Sequence, residues 1–199
     1  MLQKFVQVLA GVLICGFTCA AAADAETDSP VGSIAPRWSD LAGTDGELHG
    51  STELDDAKAT LVVFLCNRCP CAKGYEKRLI EFADQYADKG VKVVAFNCNP
   101  GDGESLEAMK ERADDSGFNF VYLKDPEQKI GKAFAAKTTP HVFLLDADRK
   151  IVFSGAFDND MRGKKITETY VVDAVEDLLA SRAVKVNSSR LCGCSIKYQ

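Results

Sequence analysis

The chain has 199 residues, of which 46% are hydrophobic and 27% are charged, and its formal net charge is −5. These fractions are typical of a globular protein, so they exclude a disordered, collagen-like or low-complexity chain, and the length suits a single domain. The sequence carries no basic tract, which argues against nucleic acid or an anionic membrane surface as a partner.

The first residues have the pattern of a secretory signal peptide. A short basic start, Met1 to Lys4, precedes an apolar run from Phe5 to Cys19, and an alanine-rich stretch follows. We expect residues 1–23 to be removed and residues 24–32 to form a linker. The alternative is an uncleaved anchor, since the apolar run approaches the ~20 residues that span a bilayer. The expected location is periplasmic or otherwise extracytoplasmic, with membrane attachment only if the segment is retained.

Residues 33–181 are predicted to form one α/β domain. An Asp-Gly turn at Asp45 predicts an N-terminal β-hairpin, and two unbroken apolar runs predict buried strands with an amphipathic helix between them. Such a βαβ unit is right-handed with parallel strands. The whole pattern predicts a mixed central sheet with helices on both faces, followed by an irregular tail at 182–199. The predicted strands lie at 60–66, 91–98, 118–123, 141–145 and 150–154, and the predicted helices at 73–87, 104–115, 127–134 and 166–181.

Cysteine is the residue type whose distribution points to function. Export would bring the chain into an oxidising compartment, where paired cysteines persist as disulfides. Of the eight cysteines, Cys66, Cys69 and Cys71 lie within six residues, and Cys192 and Cys194 lie within three. Such crowding favours redox chemistry or metal binding over structural crosslinking.

The first of these clusters lies where a predicted strand ends and a predicted helix begins. A thiol at a helix N-terminus faces unpaired backbone N–H groups and the positive end of the helix dipole, which favour the thiolate. Arg68 and Lys73 add positive charge nearby. The thiolate is the nucleophile in disulfide exchange and in attack on peroxide. Cys66 and Cys69 also have the Cys-x-x-Cys spacing of a redox motif beside a βαβ unit.

These features resemble the thioredoxin-like superfamily, and more closely its redoxin branch, which is related to the alkyl hydroperoxide reductase and thiol-specific antioxidant proteins. The resemblance covers about residues 32–179 and rests on Thr139-Pro140 and on the segments FLCNRCP, VKVVAFNCNP, KIGKAFAAK and VFLLDADRKIVFSG. It implies a thioredoxin-like fold and a thiol-disulfide oxidoreductase or thiol peroxidase of the antioxidant type, without a cofactor. It also implies a protein disulfide or a peroxide as substrate, and a reducing partner protein. In the family a cis proline faces the reactive cysteine and the adjoining backbone holds substrate, a role that falls to Thr139 and Pro140.

The same resemblance suggests which thiol attacks. Thioredoxins place the nucleophile five positions after an aromatic residue of the strand, and Phe64 plus five is Cys69. The resolving thiol is then Cys66, Cys71 or a tail cysteine, Cys192 or Cys194. In the competing register Cys66 attacks and Cys69 resolves. Cys66 also stands where peroxiredoxins have a threonine, and Val63 stands where thioredoxins have a buried acid.

Two further interpretations remain open at this point. The clustered thiols could hold a soft ion such as copper(I) or zinc, with His141 beside Pro140 as an additional ligand. Alternatively, Cys66 and Cys69 could form an inert disulfide on a non-catalytic interaction module. Cys98 ends the second predicted parallel strand, so we expect it at the same edge of the sheet as Cys69.

Overall fold

The computed structural model describes residues 30–199, so the predicted signal peptide and residues 24–29 of the predicted linker lie outside the described residues. The strands, in chain order, are β1 (Leu41–Ala42), β2 (Leu48–His49), β3 (Ala59–Phe64), β4 (Val91–Asn97), β5 (Val121–Lys124), β6 (Thr138–Thr139), β7 (His141–Asp146), β8 (Ile151–Gly155) and β9 (Cys194–Ser195). The helices are α1 (Pro70–Ala87), α2 (Leu106–Ser116), α3 (Lys129–Ala133) and α4 (Tyr170–Leu179), with short 3₁₀ helices at Ser51–Leu54 and Asp102–Glu104. Among the helices between residues 30 and 199, none combines the length and the apolar surface that a membrane crossing requires.

Five strands form the central sheet in the order β5-β4-β3-β7-β8. Strand β4 pairs in parallel with both β3 and β5, whereas β7 pairs antiparallel with both β3 and β8. Strands β1 and β2 form a separate antiparallel hairpin. The mixed sheet, the helices and the N-terminal hairpin confirm the predicted thioredoxin-like fold.

The two faces of the sheet are covered by different apolar clusters, which explains why all six residues of β3 are buried. Leu61 and Val63 face the cluster that includes α1 and α4, whereas Val62 and Phe64 face the other one. This alternation follows from the two-residue period of a strand. Full burial of such side chains contributes about 1.5–3 kcal/mol each, so β3 is a rigid base for the segment that follows it.

Helix α1 begins at Pro70, three residues before the predicted start at Lys73. Proline suits the first position of a helix because its fixed φ is helical and its missing N–H would have no intrahelical partner. Cys69 is the N-cap, in extended conformation, and its Sγ accepts a hydrogen bond from the backbone N–H of Ala72. The reactive segment is thus built into the first turn of a long helix.

The other element limits differ from the prediction by a few residues at their ends. Helix α2 begins at Leu106 instead of Glu104, because the Ser105 side chain caps it by accepting a hydrogen bond from the N–H of Ala108. Glu104, the predicted first residue of this helix, is instead the last residue of the 3₁₀ helix before that cap. Helix α4 is shorter than the predicted 166–181, since it begins at Tyr170 and ends at Leu179.

The tail, predicted to be irregular, contains one short strand, and Ser188 forms a further isolated bridge with Ser154. Strand β9 pairs antiparallel with β6, so that Cys194 lies opposite Thr139. The backbone N–H of Ile196 donates to the carbonyl oxygen of Lys137 at 2.9 Å, and the Tyr198 hydroxyl donates to that of Ala136 at 2.7 Å. The tail therefore returns to the domain and lies against the segment that leads into β7.

Candidate active site

The predicted reactive segment, residues 66–71, connects the end of β3 to the first turn of α1. Cys66 and Cys69 are buried, with 7% and 2% of their surface exposed, and Cys71 is half-buried. All the cysteines from Cys66 onward are free thiols. The Thr139-Pro140 peptide bond is cis, as the resemblance implied, and Thr139 contacts both buried thiols.

Four groups surround the sulfur of Cys69. The backbone N–H of Ala72 donates to it at 3.4 Å, and the carbonyl oxygen of Thr139 lies 2.9 Å away. The Sγ of Cys194, from the tail, is also at 2.9 Å. Cys66 lies beside it, and the Cys66 Sγ is 3.0 Å from the Oγ1 of Thr139. The site therefore brings together two cysteines of the turn, one of the tail and the residue before the cis proline.

These contacts separate the acidities of the thiols. The hydrogen bond from Cys66 is the main cause that lowers the pKa of Cys69 to about 4, and the Cys194 thiol and the Ala72 N–H act in the same direction against burial. Cys66 is the donor of that hydrogen bond and is also buried, and both effects raise its pKa far above the ordinary value. The hydrogen bond to Cys69 likewise raises the pKa of Cys194 to about 12. One thiolate, at Cys69, is thus stabilised by thiols that keep their protons.

A buried carboxylate that sequence reasoning missed supports the turn. Glu104 Oε2 accepts hydrogen bonds from the backbone N–H of Asn67 at 2.8 Å and from the side-chain amide of Asn97 at 2.7 Å. Its Oε1 accepts from the backbone N–H of Arg68 at 3.2 Å. Glu104 is 4% exposed, and it is joined to the turn only through the fold, since 36 residues separate it from Arg68. No local motif in the sequence could have identified this contact.

A small open cleft gives access to the thiols. Its volume is about 280 Å³, and its lining includes Cys66, Cys69 and Cys194 together with Arg68, Asn99 and Lys197. Glu104 also lines the cleft, so the lining carries two cations and one anion. The two cations can attract an anionic leaving group.

The two tail cysteines are placed differently. Both are exposed, but the Cys194 Sγ lies 2.9 Å from the Cys69 Sγ, whereas Cys192 does not belong to the group of close thiols formed by Cys69, Cys71 and Cys194. Of the two tail thiols predicted as possible resolvers, Cys194 is therefore the one that contacts the Cys69 sulfur.

Two other predicted participants lie elsewhere. His141 is not a ligand: its Nδ1 accepts a hydrogen bond from the backbone N–H of Lys137 at 3.2 Å, and its Nε2 lies 3.0 Å from the Ser154 hydroxyl. Cys98 follows β4, which is parallel to β3, so it lies at the same edge of the sheet as Cys69, as predicted, but it packs into the apolar cluster on the other face. There burial raises its pKa to about 12, which makes it a poor nucleophile.

Comparisons with known proteins agree with this fold. A hypothetical protein from Sinorhizobium meliloti 1021 is 34% identical in sequence, with a TM-score of 0.79 over 85% of this chain and 94% of the other. An uncharacterized conserved protein from Geobacillus kaustophilus is also 34% identical, with a TM-score of 0.80 over 85% and 93% of the two chains. The peroxidoxin BcpB of Mycobacterium tuberculosis shares the fold alone, at 15% identity and a TM-score of 0.56 over 77% and 96%.

A curated relative and a family model carry the assignment further. The relative, from Mesembryanthemum crystallinum, has the name "Probable phospholipid hydroperoxide glutathione peroxidase" and is 27% identical over 135 residues, which are 57% of this chain and 76% of the relative. The Redoxin model matches residues 30–172, a span that contains β3, the cysteine turn and the cis proline. The chain therefore belongs to the Redoxin family, and its general activity is that of a thiol oxidoreductase or peroxidase that works with a redox partner.

Proposed function

We propose that the protein is an exported thiol oxidoreductase in which Cys69 attacks a disulfide or a peroxide and Cys194 resolves the product. The observation that carries this proposal is the 2.9 Å separation of the Cys69 and Cys194 sulfur atoms, which the pairing of β9 with β6 maintains. Cys66 remains in the site as the hydrogen-bond partner that lowers the pKa of Cys69, and Cys71 remains as a further nearby thiol.

The first step uses the acidity difference among the thiols. The Cys69 thiolate attacks one sulfur of a substrate disulfide, so that a mixed disulfide forms and the other substrate sulfur leaves as a thiolate. With a peroxide, the thiolate attacks one oxygen, the O–O bond breaks, and Cys69 becomes a sulfenic acid while the other oxygen leaves as hydroxide or alkoxide. Cys66 suits this step poorly as attacker, because its raised pKa leaves little thiolate.

The second step transfers the oxidation to the tail. The Cys194 sulfur attacks the Cys69 sulfur and gives a Cys69–Cys194 disulfide, with release of the reduced substrate thiol or of water. The leaving group takes up the Cys194 proton. The substrate has then gained two electrons, and a reducing partner protein must supply two electrons to restore both thiols.

Disulfide mapping tests the order of these steps. Reduced protein is treated with a limiting amount of hydrogen peroxide or of a small disulfide, quenched in acid and analysed by mass spectrometry. We expect a Cys69–Cys194 bond in the wild type, a trapped mixed disulfide or sulfenic acid on Cys69 in Cys194→Ser, and neither product in Cys69→Ser. Cys192→Ser, which removes the other tail thiol, should retain the Cys69–Cys194 bond. A Cys66–Cys69 bond as the main wild-type product would instead support the competing register.

Export is the part of the proposal that rests on residues 1–23 alone. Their basic start, apolar run and alanine-rich end support a cleaved signal peptide. Cell fractionation with measurement of the mature N-terminal mass tests this. A protein that starts near Asp24 or Glu26 in the periplasmic fraction supports export, an uncleaved chain in the membrane fraction supports the anchored alternative, and an uncleaved cytoplasmic chain contradicts both.

A further inference from the structure

We infer that Cys69, Cys71 and Cys194 form a binding site for copper(I) in the reduced protein. Their Sγ atoms all lie within 4.8 Å of one another. Such separations allow one ion to contact all three sulfur atoms after small side-chain rotations, and thiolates are the ligands that copper(I) prefers.

The fold holds this group together from two distant segments. Cys69 is the N-cap of α1 and Cys71 is its second residue, so both belong to one helical turn. Cys194 comes from the tail and is held opposite Thr139 by the pairing of β9 with β6. Cys66 is outside the group. The three ligands are thus positioned by the backbone, two by a helix and one by a strand.

The number and kind of ligands select the ion. The group contains sulfur ligands and, within residues 30–199, neither a histidine nor a carboxylate joins it. Structural zinc is almost always bound by four ligands in tetrahedral geometry. Copper(I) is a soft ion that is satisfied by three thiolates, so the group fits copper(I) better than zinc.

The positive charges near the three thiols also favour the binding of copper(I) by thiolates. Three thiolates and one copper(I) carry a net charge of −2, which is unfavourable in a partly buried site unless positive charge is near. The N-terminus of the 18-residue helix α1 provides the positive end of a helix dipole. Arg68 and Lys197 line the adjoining cleft and provide two cations against the one carboxylate, Glu104, that also lines it.

Binding requires no electron transfer. Copper enters as copper(I) and remains copper(I), while the thiol protons still held by the three cysteines pass to solvent. A Cys69–Cys194 disulfide would remove two of the ligands, so oxidation and copper binding exclude each other. The site itself requires only that the thiols be reduced, and it does not depend on which substrate they later reduce.

A competition titration tests the site. The full chain, reduced and kept without oxygen, is titrated into copper(I) held by the coloured chelator bicinchoninate. We expect the wild type to withdraw one equivalent of copper(I), and X-ray absorption of that sample to show a first shell of three sulfur atoms. Cys71→Ser should weaken copper retention by about tenfold or more, since one of three thiolate ligands is lost. Cys192→Ser is the matched control, because it removes a neighbouring tail thiol outside the group, and it should retain copper like the wild type.

Several outcomes would overturn the inference. These are failure of the wild type to withdraw copper(I), equal loss in Cys71→Ser and Cys192→Ser, or retention of zinc(II) in a parallel titration without retention of copper(I). Formation of the Cys69–Cys194 disulfide is measured on the same wild-type preparation. A preparation that forms this disulfide yet takes no copper(I) rejects the copper site and leaves the proposed redox function intact.

Discussion

Gly193 lies so close to Thr139 that no side chain fits between them. A Cβ built on Gly193 would be 2.4 Å from the Thr139 carbonyl oxygen and 2.8 Å from its carbonyl carbon. These distances are well inside van der Waals contact, so glycine is what allows the tail to lie flat against the segment before Pro140. The position of Cys194 over Cys69 depends on this close approach.

Gly193→Ala should therefore displace the tail without removing a thiol. We expect formation of the Cys69–Cys194 disulfide to slow by about tenfold or more, because small misplacements of reacting groups have large effects on rate. Acid quenching at successive times after oxidation, followed by mass spectrometry, measures this. The exposed neighbour substitution Cys192→Ala controls for general effects on the tail, and an unchanged rate in Gly193→Ala would argue against β9 as the element that positions Cys194.

Glu104→Ala should destabilise the protein. It removes the acceptor of the backbone N–H groups of Asn67 and Arg68, and one of the two acceptors of the Asn97 amide, which keeps its hydrogen bond to the Tyr122 hydroxyl. Buried donors that lose a partner cost about 1–3 kcal/mol each, so we expect a loss of roughly 3 kcal/mol in the free energy of unfolding, measured with urea. Glu111→Ala, at an exposed position of α2, is the matched control and should change stability by no more than about 0.5 kcal/mol.

The thiolate fraction of the same variant shows whether Glu104 also affects the acidity of Cys69. In folded Glu104→Ala protein, the loosened turn should weaken the hydrogen bond from Cys66 to Cys69, and the thiolate fraction at about pH 6 should fall. Glu104→Gln keeps one acceptor oxygen and should recover part of the stability. If Glu104→Ala and Glu111→Ala have the same free energy of unfolding, the hydrogen bonds of Glu104 do not stabilise the cysteine turn.

The Cys69 thiolate is directly observable by its ultraviolet absorbance. Because the pKa of Cys69 is lowered to about 4, the reduced protein should retain one thiolate at about pH 6, where an unperturbed cysteine of pKa about 8.5 is almost fully protonated. Cys69→Ser should lose this absorbance. Cys66→Ala, which removes the main stabilising hydrogen bond, should shift the titration of Cys69 to higher pH. Persistence of the low-pH thiolate in Cys69→Ser would assign it to another residue.

The two histidines of the chain should titrate in opposite ways. Burial, followed by the nearby Lys137, lowers the pKa of His141 to about 3, whereas hydrogen bonds to Glu53 and Asp45 outweigh burial and raise the pKa of His49 above 6.5. As the pH is lowered, nitrogen NMR of the rings should show that His49 becomes protonated with a midpoint above about pH 6.5. The ring of His141 should stay neutral down to about pH 5. Since the Nδ1 of His141 accepts from the Lys137 N–H, its proton should be on Nε2.

The free energy of unfolding should depend on the protonation of His49, and the contribution of His49 should be larger at low pH than at high pH. A pKa raised on folding contributes stability that is present below the unfolded value of about 6.5 and is lost as pH rises through the folded pKa. The pKa values of Asp45 and Glu53 are both lowered, so these carboxylates remain charged over this range. His49→Gln should therefore cost more unfolding free energy at about pH 5.5 than at about pH 8.5. Equal cost at both values would contradict the ion pairing.

The parts of the site that sequence reasoning reached are those encoded locally. The apolar run of β3, the cysteine turn and Thr139-Pro140 are each contiguous, and their periodicity or family register is enough to place them. The predicted start of α1 is three residues late because its first turn is set by Pro70 and the Cys69 N-cap, which the apolar periodicity of the helix does not mark. Glu104 and the β9 pairing could not be predicted, since each is defined by contacts between residues far apart in the chain, and a two-residue strand leaves almost no periodic signal.

The return of the tail to β6 also sets the kinetic order of the reaction. A thiol that the same chain presents at 2.9 Å competes with free thiols as if it were present at an effective concentration far above that of any cellular thiol. The rate of resolution should then be independent of protein concentration and insensitive to added glutathione. Cys69 is only 2% exposed beneath Cys194, so a bulky protein partner should react with it mainly when residues 194–199 lift away, whereas a small peroxide can enter through the open cleft.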